Sequence, residues 1–484
     1  MDENVMRILQ LLQEGKISAQ EAEMLIAALR GETAPSNDND PGNSAESKQK
    51  SEDQKSTGGK FDLVFNVEDF GKRFSEAFSK VQPEKIVERL QAQFRTASRA
   101  GAQWSASLSA KVRTWADGSD QRPSNPGSLP ELSDTHQQEF HLEPGAHVSA
   151  DNPLGDITIV GVADGPASVT VKKTVWGPQQ DNLKSLMEQI NTALHGTDTQ
   201  LEIKMSAPEM FRDGTVDVEI HIPRNAGNVR AVTRFGKADL SDLEGGVEVS
   251  TSSGEVILHG VNGEARSETL SGAINLSDLY GLTTVATQSG DIKAERLTQG
   301  LVANTASGDV NASDIEGERI ECRSVSGDVH IERAGLQSHK TVKLESISGD
   351  VSMDKIAGAL IIKAVSGDLK AEELDVESVQ VQTISGDVSL GLTAPFSGSM
   401  NVHTVSGDII IKLPEGSSVR ASVSATSGSV HCEQNAHEVT STDTFWSGSL
   451  GEGTGTLNIH TVSGDASIAR ADSSSTGESN ERNS

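Results

Sequence analysis

Aromatic residues are scarce in this chain, at 3% of 484 positions, and Tyr280 is the single tyrosine. A thick globular core of that length would draw on more large side chains, so one such core is excluded. Cysteine is scarcer still, with Cys322 and Cys432 alone, and two thiols make no disulfide framework. No apolar run approaches the ~18 residues of a spanning helix. Met1-Asp2-Glu3-Asn4 lacks the basic flank and apolar stretch of a secretory signal. These absences predict a cytoplasmic location, with peripheral-membrane or cell-surface placement left open. Positive charge is also in deficit: 41 Lys and Arg face 70 Asp and Glu, a formal net charge of −29. That field repels phosphate backbones and excludes general binding of nucleic acid. Glycine is what the chain has in plenty, with 46 residues, and Gly, Ser, Asp, Val and Ile together suit a narrow solenoid.

Residues 1–31 read as a helical hairpin. Val5, Ile8, Leu9 and Leu12 mark one face, Gly15 permits a turn, and Ser18 with Glu21 forms a capping box for a second helix. Residues 32–60 have no periodic apolar face, and their composition predicts a disordered linker. Residues 61–116 are different. Phe70, Phe74 and Phe78 share a helical face, Pro83 fits a first turn, and Ile86, Val87, Leu90 and Phe94 follow. Trp104, Leu108, Val112 and Trp115 continue the stripe, and residues 72–113 hold nine Lys or Arg against three Glu. This cationic amphipathic segment, with Lys72, Arg73, Arg89, Arg95, Arg99, Trp104 and Trp115, suits an anionic membrane or envelope polymer. The same segment equally suits a clamp on the acidic remainder of the chain, or a protein partner. Residues 117–143 read as a second linker and 471–484 as a disordered tail.

Residues 144–470 carry the strongest signal, Ser-Gly followed usually by Asp. The glycines are Gly254, Gly272, Gly290, Gly308, Gly327, Gly349, Gly367, Gly386, Gly407, Gly428 and Gly464. Most steps match that from Gly254 to Gly272 to within one position; those to Gly349, Gly407 and Gly428 are three or four positions longer. The last step, from Gly428 to Gly464, is twice the basic one and predicts a degenerate coil between them. Within a unit the period is two: Ile409, Ile411 and Leu413 point inward and Lys412 outward. The fold class that follows is mainly β, a parallel β-solenoid (β-helix) with coils of about 18 residues, preceded by small α-helical segments. Asp151 to Ile159 reads as a degenerate first repeat, and a helix is expected near Gln180–His195.

Asn152-Pro153-Leu154-Gly155-Asp156-Ile157, Val218-Glu219-Ile220-His221-Ile222-Pro223 and the recurring Ser-Gly-Asp-Val/Ile units resemble the putative-adhesin family, domain of unknown function 4097. The stretch Ile8 to Ala22 resembles a short helical-hairpin module that accompanies this family in bacterial relatives. The resemblance implies a β-helix, envelope-associated or stress-linked roles, and no established catalytic residues.

The residues themselves point to no enzyme. Asp291, Asp309, Asp328, Asp350, Asp368, Asp387, Asp408 and Asp465 each follow a repeat glycine. One carboxylate per turn is a backbone hydrogen-bond acceptor before it is a calcium ligand, and the Gly-Gly-x-Gly-x-Asp pattern is missing. Polysaccharide-active β-helices need a localised acid–base pair, which no interrupted repeat supplies. His330, His339, His403, His431, His437 and His460 lack metal-site spacing. No catalytic residue, metal or cofactor is expected. Two positions before the glycines, Val325, Ile347, Val365, Ile384 and Val405 should face outward as an apolar ridge, with Ser324, Ser346, Ala364, Thr383 and Thr404 facing in. The expected function is a scaffold or sensor for protein or envelope ligands, in an envelope-stress setting; the alternative is a cytoplasmic regulatory protein-interaction module. The sequence leaves the oligomeric state undetermined.

Overall fold

The computed structural model describes residues 129–163, 165–208 and 211–471, all within the second of two compact units, Phe78–Ser484. The expected hairpin, first linker, cationic segment with its seven named residues, and tail from 472 onward lie outside the described residues.

Each regular coil has two strands. In one, Leu301–Ser307 leads through Gly308 and Asp309 into Val310–Ile315. A loop then rises to Ile320–Ser326, which pairs in parallel with Leu301–Ser307, Leu301 against Ile320. Period-two alternation puts Leu301, Ala303 and Thr305 inside from one strand and Val310 and Ala312 from the other. Two strands per coil leave a flat interior one side chain deep from each wall, which branched aliphatics fill and large aromatics would overfill. That geometry accounts for the poverty in aromatic residues. The longer steps to Gly349, Gly407 and Gly428 lodge their extra residues in loops between coils, where Phe396 turns inward and is buried.

Chain order and stacking order part company at both ends. His147–Asn152 lies between Val229–Thr233 and Gln200–Ser206. Ile157–Val162 likewise lies between Ala238–Ser241 and Gly214–Pro223. The first coil in sequence is therefore the second in space. At the other end Gly455–Ser463 fits between Ser399–Ser406 and Val419–Ser427. Ala466–Arg470 fits between Ile409–Leu413 and Val430–Cys432. The last coil is thus last but one in space.

Antiparallel strands cover three of the four terminal parallel strands among the described residues. Ala167–Trp176 covers Gly214–Pro223, Glu131–Phe140 covers Ala167–Trp176, and Asn191–Thr197 covers Gln200–Ser206. Phe445–Leu450 covers Val419–Ser427 and is joined by His437–Ser441. Unpaired strand edges invite further pairing, and these additions end the parallel stack in antiparallel strands, Glu131–Phe140, Asn191–Thr197 and His437–Ser441, while Val430–Cys432 stays the last strand of its wall.

Three expectations change accordingly. The double-length step from Gly428 to Gly464 contains the antiparallel cap, not a degenerate coil, because the chain goes past one slot and returns to fill it. Residues 131–140, expected as linker, form a strand whose partner Ala167–Trp176 lies too far along the sequence for local pattern to announce. The helix expected over Gln180–His195 is a 3-10 turn, Gln180–Asn182, followed by one short helix, Leu183–Glu188. His195 sits in a strand, since Asn191–Thr197 gains a complete ladder against Gln200–Ser206.

Candidate binding face

The corner built by Ser-Gly-Asp stacks its glycines in one column. A Cβ on Gly367 would stand 2.2 Å from the Gly349 carbonyl oxygen, at a φ of +130°. Glycine is required there twice over, for close approach and for a backbone region closed to other side chains. Inside the corner, hydroxyls answer the glycine carbonyls: Thr305 Oγ1 donates to Gly290 O at 3.2 Å, and Thr461 Oγ1 to Gly407 O at 3.2 Å. Ser324 Oγ and Ser346 Oγ do the same toward Gly308 O and Gly349 O, each at 3.3 Å, whereas Thr383 and Thr404 are buried at the same position with hydroxyls that meet no partner.

Outside the corner the aspartates form a rail. Each carboxylate from Asp291 to Asp408 accepts the backbone N–H of the next aspartate in the stack, at 2.8–2.9 Å. Asp408 reaches Asp465, and Asp465 accepts both the N–H and the hydroxyl of Ser429, at 2.7 and 2.9 Å. Those bonds from Ser429 hold the Asp465 carboxyl below the usual carboxylate range. All eight side chains are exposed, and among the described residues none of them joins an ion pair.

Val325, Ile347, Val365, Ile384 and Val405 fall in register beside this rail. They face outward: Val325 is exposed and the other four are half-buried, while Ser324, Ser346, Ala364, Thr383 and Thr404 are buried. Val462 of the returning coil follows Val405 as a sixth member. Its place in the ridge is invisible in the sequence, where it lies far along the chain from Val405.

The opposite corner handles charge differently. Asp278, Arg296, Asp314, Arg333, Lys355 and Glu373 each hold a φ between +52° and +57°. Arg296 grips Asp278 with two bonds of 2.6 and 2.8 Å, and Arg333 grips Asp314 with 2.6 and 2.9 Å. The guanidiniums keep both carboxyls below their ordinary range. Charged residues recur six positions after the repeat glycines with an apolar residue next, and this recurrence is the sequence signal of the second corner.

His403 and His460 also meet, with ring centroids 5.0 Å apart and planes at 13°. His460 Nδ1 lies 2.8 Å from Ser424 Oγ. Burial lowers His403, and burial together with His403 lowers His460 to about 4. The other histidines of the sequence do not join them: among the described residues no three His, Cys, Asp or Glu gather as a metal site. Cys322 is core filler between Ala303 and Leu344, its thiol pushed up to about 12 by burial. No described helix is long and apolar enough to cross a membrane.

A family model described as Toastrack DUF4097 matches residues 191–397 and 394–469, and a SHOCT-like domain model matches residues 3–34. Comparison with curated proteins gives no match. Among solved structures, a putative adhesin from Parabacteroides distasonis is 13% identical, with 53% of this chain and 98% of that one covered and a TM-score of 0.32. A putative adhesin from Bacteroides fragilis is 17% identical, covering 57% and 100%, with a TM-score of 0.26. A putative lipid binding protein from Parabacteroides distasonis is 12% identical, covering 70% and 97%, with a TM-score of 0.22.

Proposed function

Since the chain belongs to the Toastrack DUF4097 family, we propose that it is a non-catalytic scaffold or sensor, binding protein or cell-envelope ligands in a bacterial envelope-stress response. The observation that supports this reading most is the shape of the Ser-Gly-Asp corner. An aliphatic ridge and a rail of uncompensated carboxylates run side by side, repeating at the ~4.8 Å spacing of adjacent strands. A surface that repeats along a line suits an extended or helical ligand, which meets equivalent groups at every coil. Apolar contact supplies affinity, and the carboxylates select basic groups.

The test is a photo-crosslinking residue placed at Ser366, beside the ridge, or at Lys370, on the outward face of the next strand, in native cells. Adducts with another molecule at Ser366 alone, recovered with the envelope fraction, are expected. Equal labelling at both positions, or none, overturns the assignment of the face. Adducts recovered only from the soluble interior replace the envelope reading with that of a cytoplasmic regulatory module.

A further inference from the structure

We propose that, when no external ligand holds it, the ridge and rail are a docking seam for the chain's own cationic segment, residues 83–116, which such a ligand displaces; the inference rests on the Ser-Gly-Asp corner being the binding face. Charge complementarity is the first argument. Residues 129–471 hold 48 Asp or Glu against 23 Lys or Arg, a net charge of −25. Residues 83–116 hold six Lys or Arg against two Glu, Glu84 and Glu88. The eight rail carboxylates are the acidic groups with unmet charge nearest the ridge, about three residues along the strand from it.

Spacing is the second argument. A helix advances about 5.4 Å per turn, close to the ~4.8 Å between coils. Apolar residues about one turn apart, Trp104, Leu108 and Val112, can therefore settle between successive ridge residues, with Lys111 beside the carboxylates. From Val325 to Val462 the ridge crosses five coil spacings, about 24 Å, which about 16 helical residues would span.

Chain reach is the third argument. The ridge begins nine strand spacings from Glu131–Phe140, about 43 Å away. Residues 117–129 extend to about 43 Å, and 34 helical residues add about 51 Å. The segment reaches the whole seam.

Tryptophan accessibility tests this in the full chain. Of its four tryptophans, Trp176 and Trp446 are buried at 4% and 6% exposure, so acrylamide quenching reports on Trp104 and Trp115. Docking predicts weak quenching at low salt. It should rise several-fold in Val365→Ser/Ile384→Ser, and also at about 0.5 M salt, where the Debye length falls below about 5 Å. Asp350→Asn/Asp368→Asn, which keeps the amide-accepting oxygens, should raise quenching too and guards against misfolding of the first variant. Ile361→Ser, in another outward column, should not. Several results would overturn the proposal: strong quenching of the wild type, shielding unchanged in both folded double variants, shielding lost on dilution with a fall in mass (a second copy), or shielding only with phosphatidylglycerol vesicles (a lipid surface). Because purified protein is used alone, failure here leaves the crosslinking test of an external ligand standing.

Discussion

Across the middle of the solenoid, from Gly254 to Gly407, every coil rests on the coil before it in sequence, whereas at the two ends the chain skips a slot and comes back to fill it. The same local chemistry serves both arrangements. Asp387 holds Asp408 at 2.8 Å across 21 residues, and Asp408 holds Asp465 at 2.8 Å across 57. A coil therefore recognises the shape of its neighbour, not its place in the chain. In the middle this favours the nearest coil, whose loop-closure cost is least. At the ends the returning coil is held on both sides, and the outermost coil carries an antiparallel cap instead of a bare edge.

The largest expected effect comes from removing the returning coil. A chain ending at residue 454 loses Leu457, Ile459 and Ile468, all buried, or roughly 5–9 kcal/mol of burial. That rivals the stability of a whole domain. Hydrogen exchange over 419–450 should lose its protection, whereas a chain ending at 471 keeps it. Retained protection in the shorter chain would show coil 419–432 restacking directly on 399–413, and the order of the end would not be fixed.

Next is a pair of glycine substitutions. Gly367→Val places a Cβ against the Gly349 carbonyl in the middle of the stack and should cost about 3 kcal/mol or more in urea unfolding. Gly428→Val makes an equal overlap, 2.1 Å from Gly464 O, but in the outermost coil. It should fray that end and lower the global midpoint less. Equal losses would mean that the ends are as cooperative as the middle.

The smallest effect is a pH dependence confined to the C-terminal end. His403 and His460 are lowered in the folded chain, the latter to about 4, against about 6.5 unfolded. Their neutral pairing therefore contributes fully above pH ~6.5, and the contribution declines as pH falls toward about 4. With solvent screening of these partly exposed rings, a loss of about 1 kcal/mol between pH 7 and 5 is expected. His460→Gln should flatten that slope in the urea midpoint; an unchanged slope assigns the dependence to other groups.

Much of the regular array was legible because its signals are local. The phase of Ser324 and Val325 about Gly327 follows from alternation, and the small interior residues from the narrowness of the coil. The eight aspartates were legible as backbone acceptors for the same reason. Glu131–Phe140 was not, because its ladder partner begins well downstream at Ala167 and its own face is almost wholly exposed. The His403–His460 stack was equally hidden: both rings lie four positions before a repeat glycine, but two glycine steps apart, and only the return of the last coil makes those two coils neighbours.

The sequence by itself determined the coil: its length, its glycine corner, its inward and outward columns and its poverty in aromatics. Each follows from sterics and hydrogen bonding within one unit or between identical ones. Only the tertiary structure decided which coil lies against which, and so brought Val462 to the ridge, Asp465 to the rail and His460 to His403. The physical reason is that near-identical coils offer near-identical faces, so the local pattern cannot rank their partners. The need to bury both faces of the last coils and to cover the strand edges can.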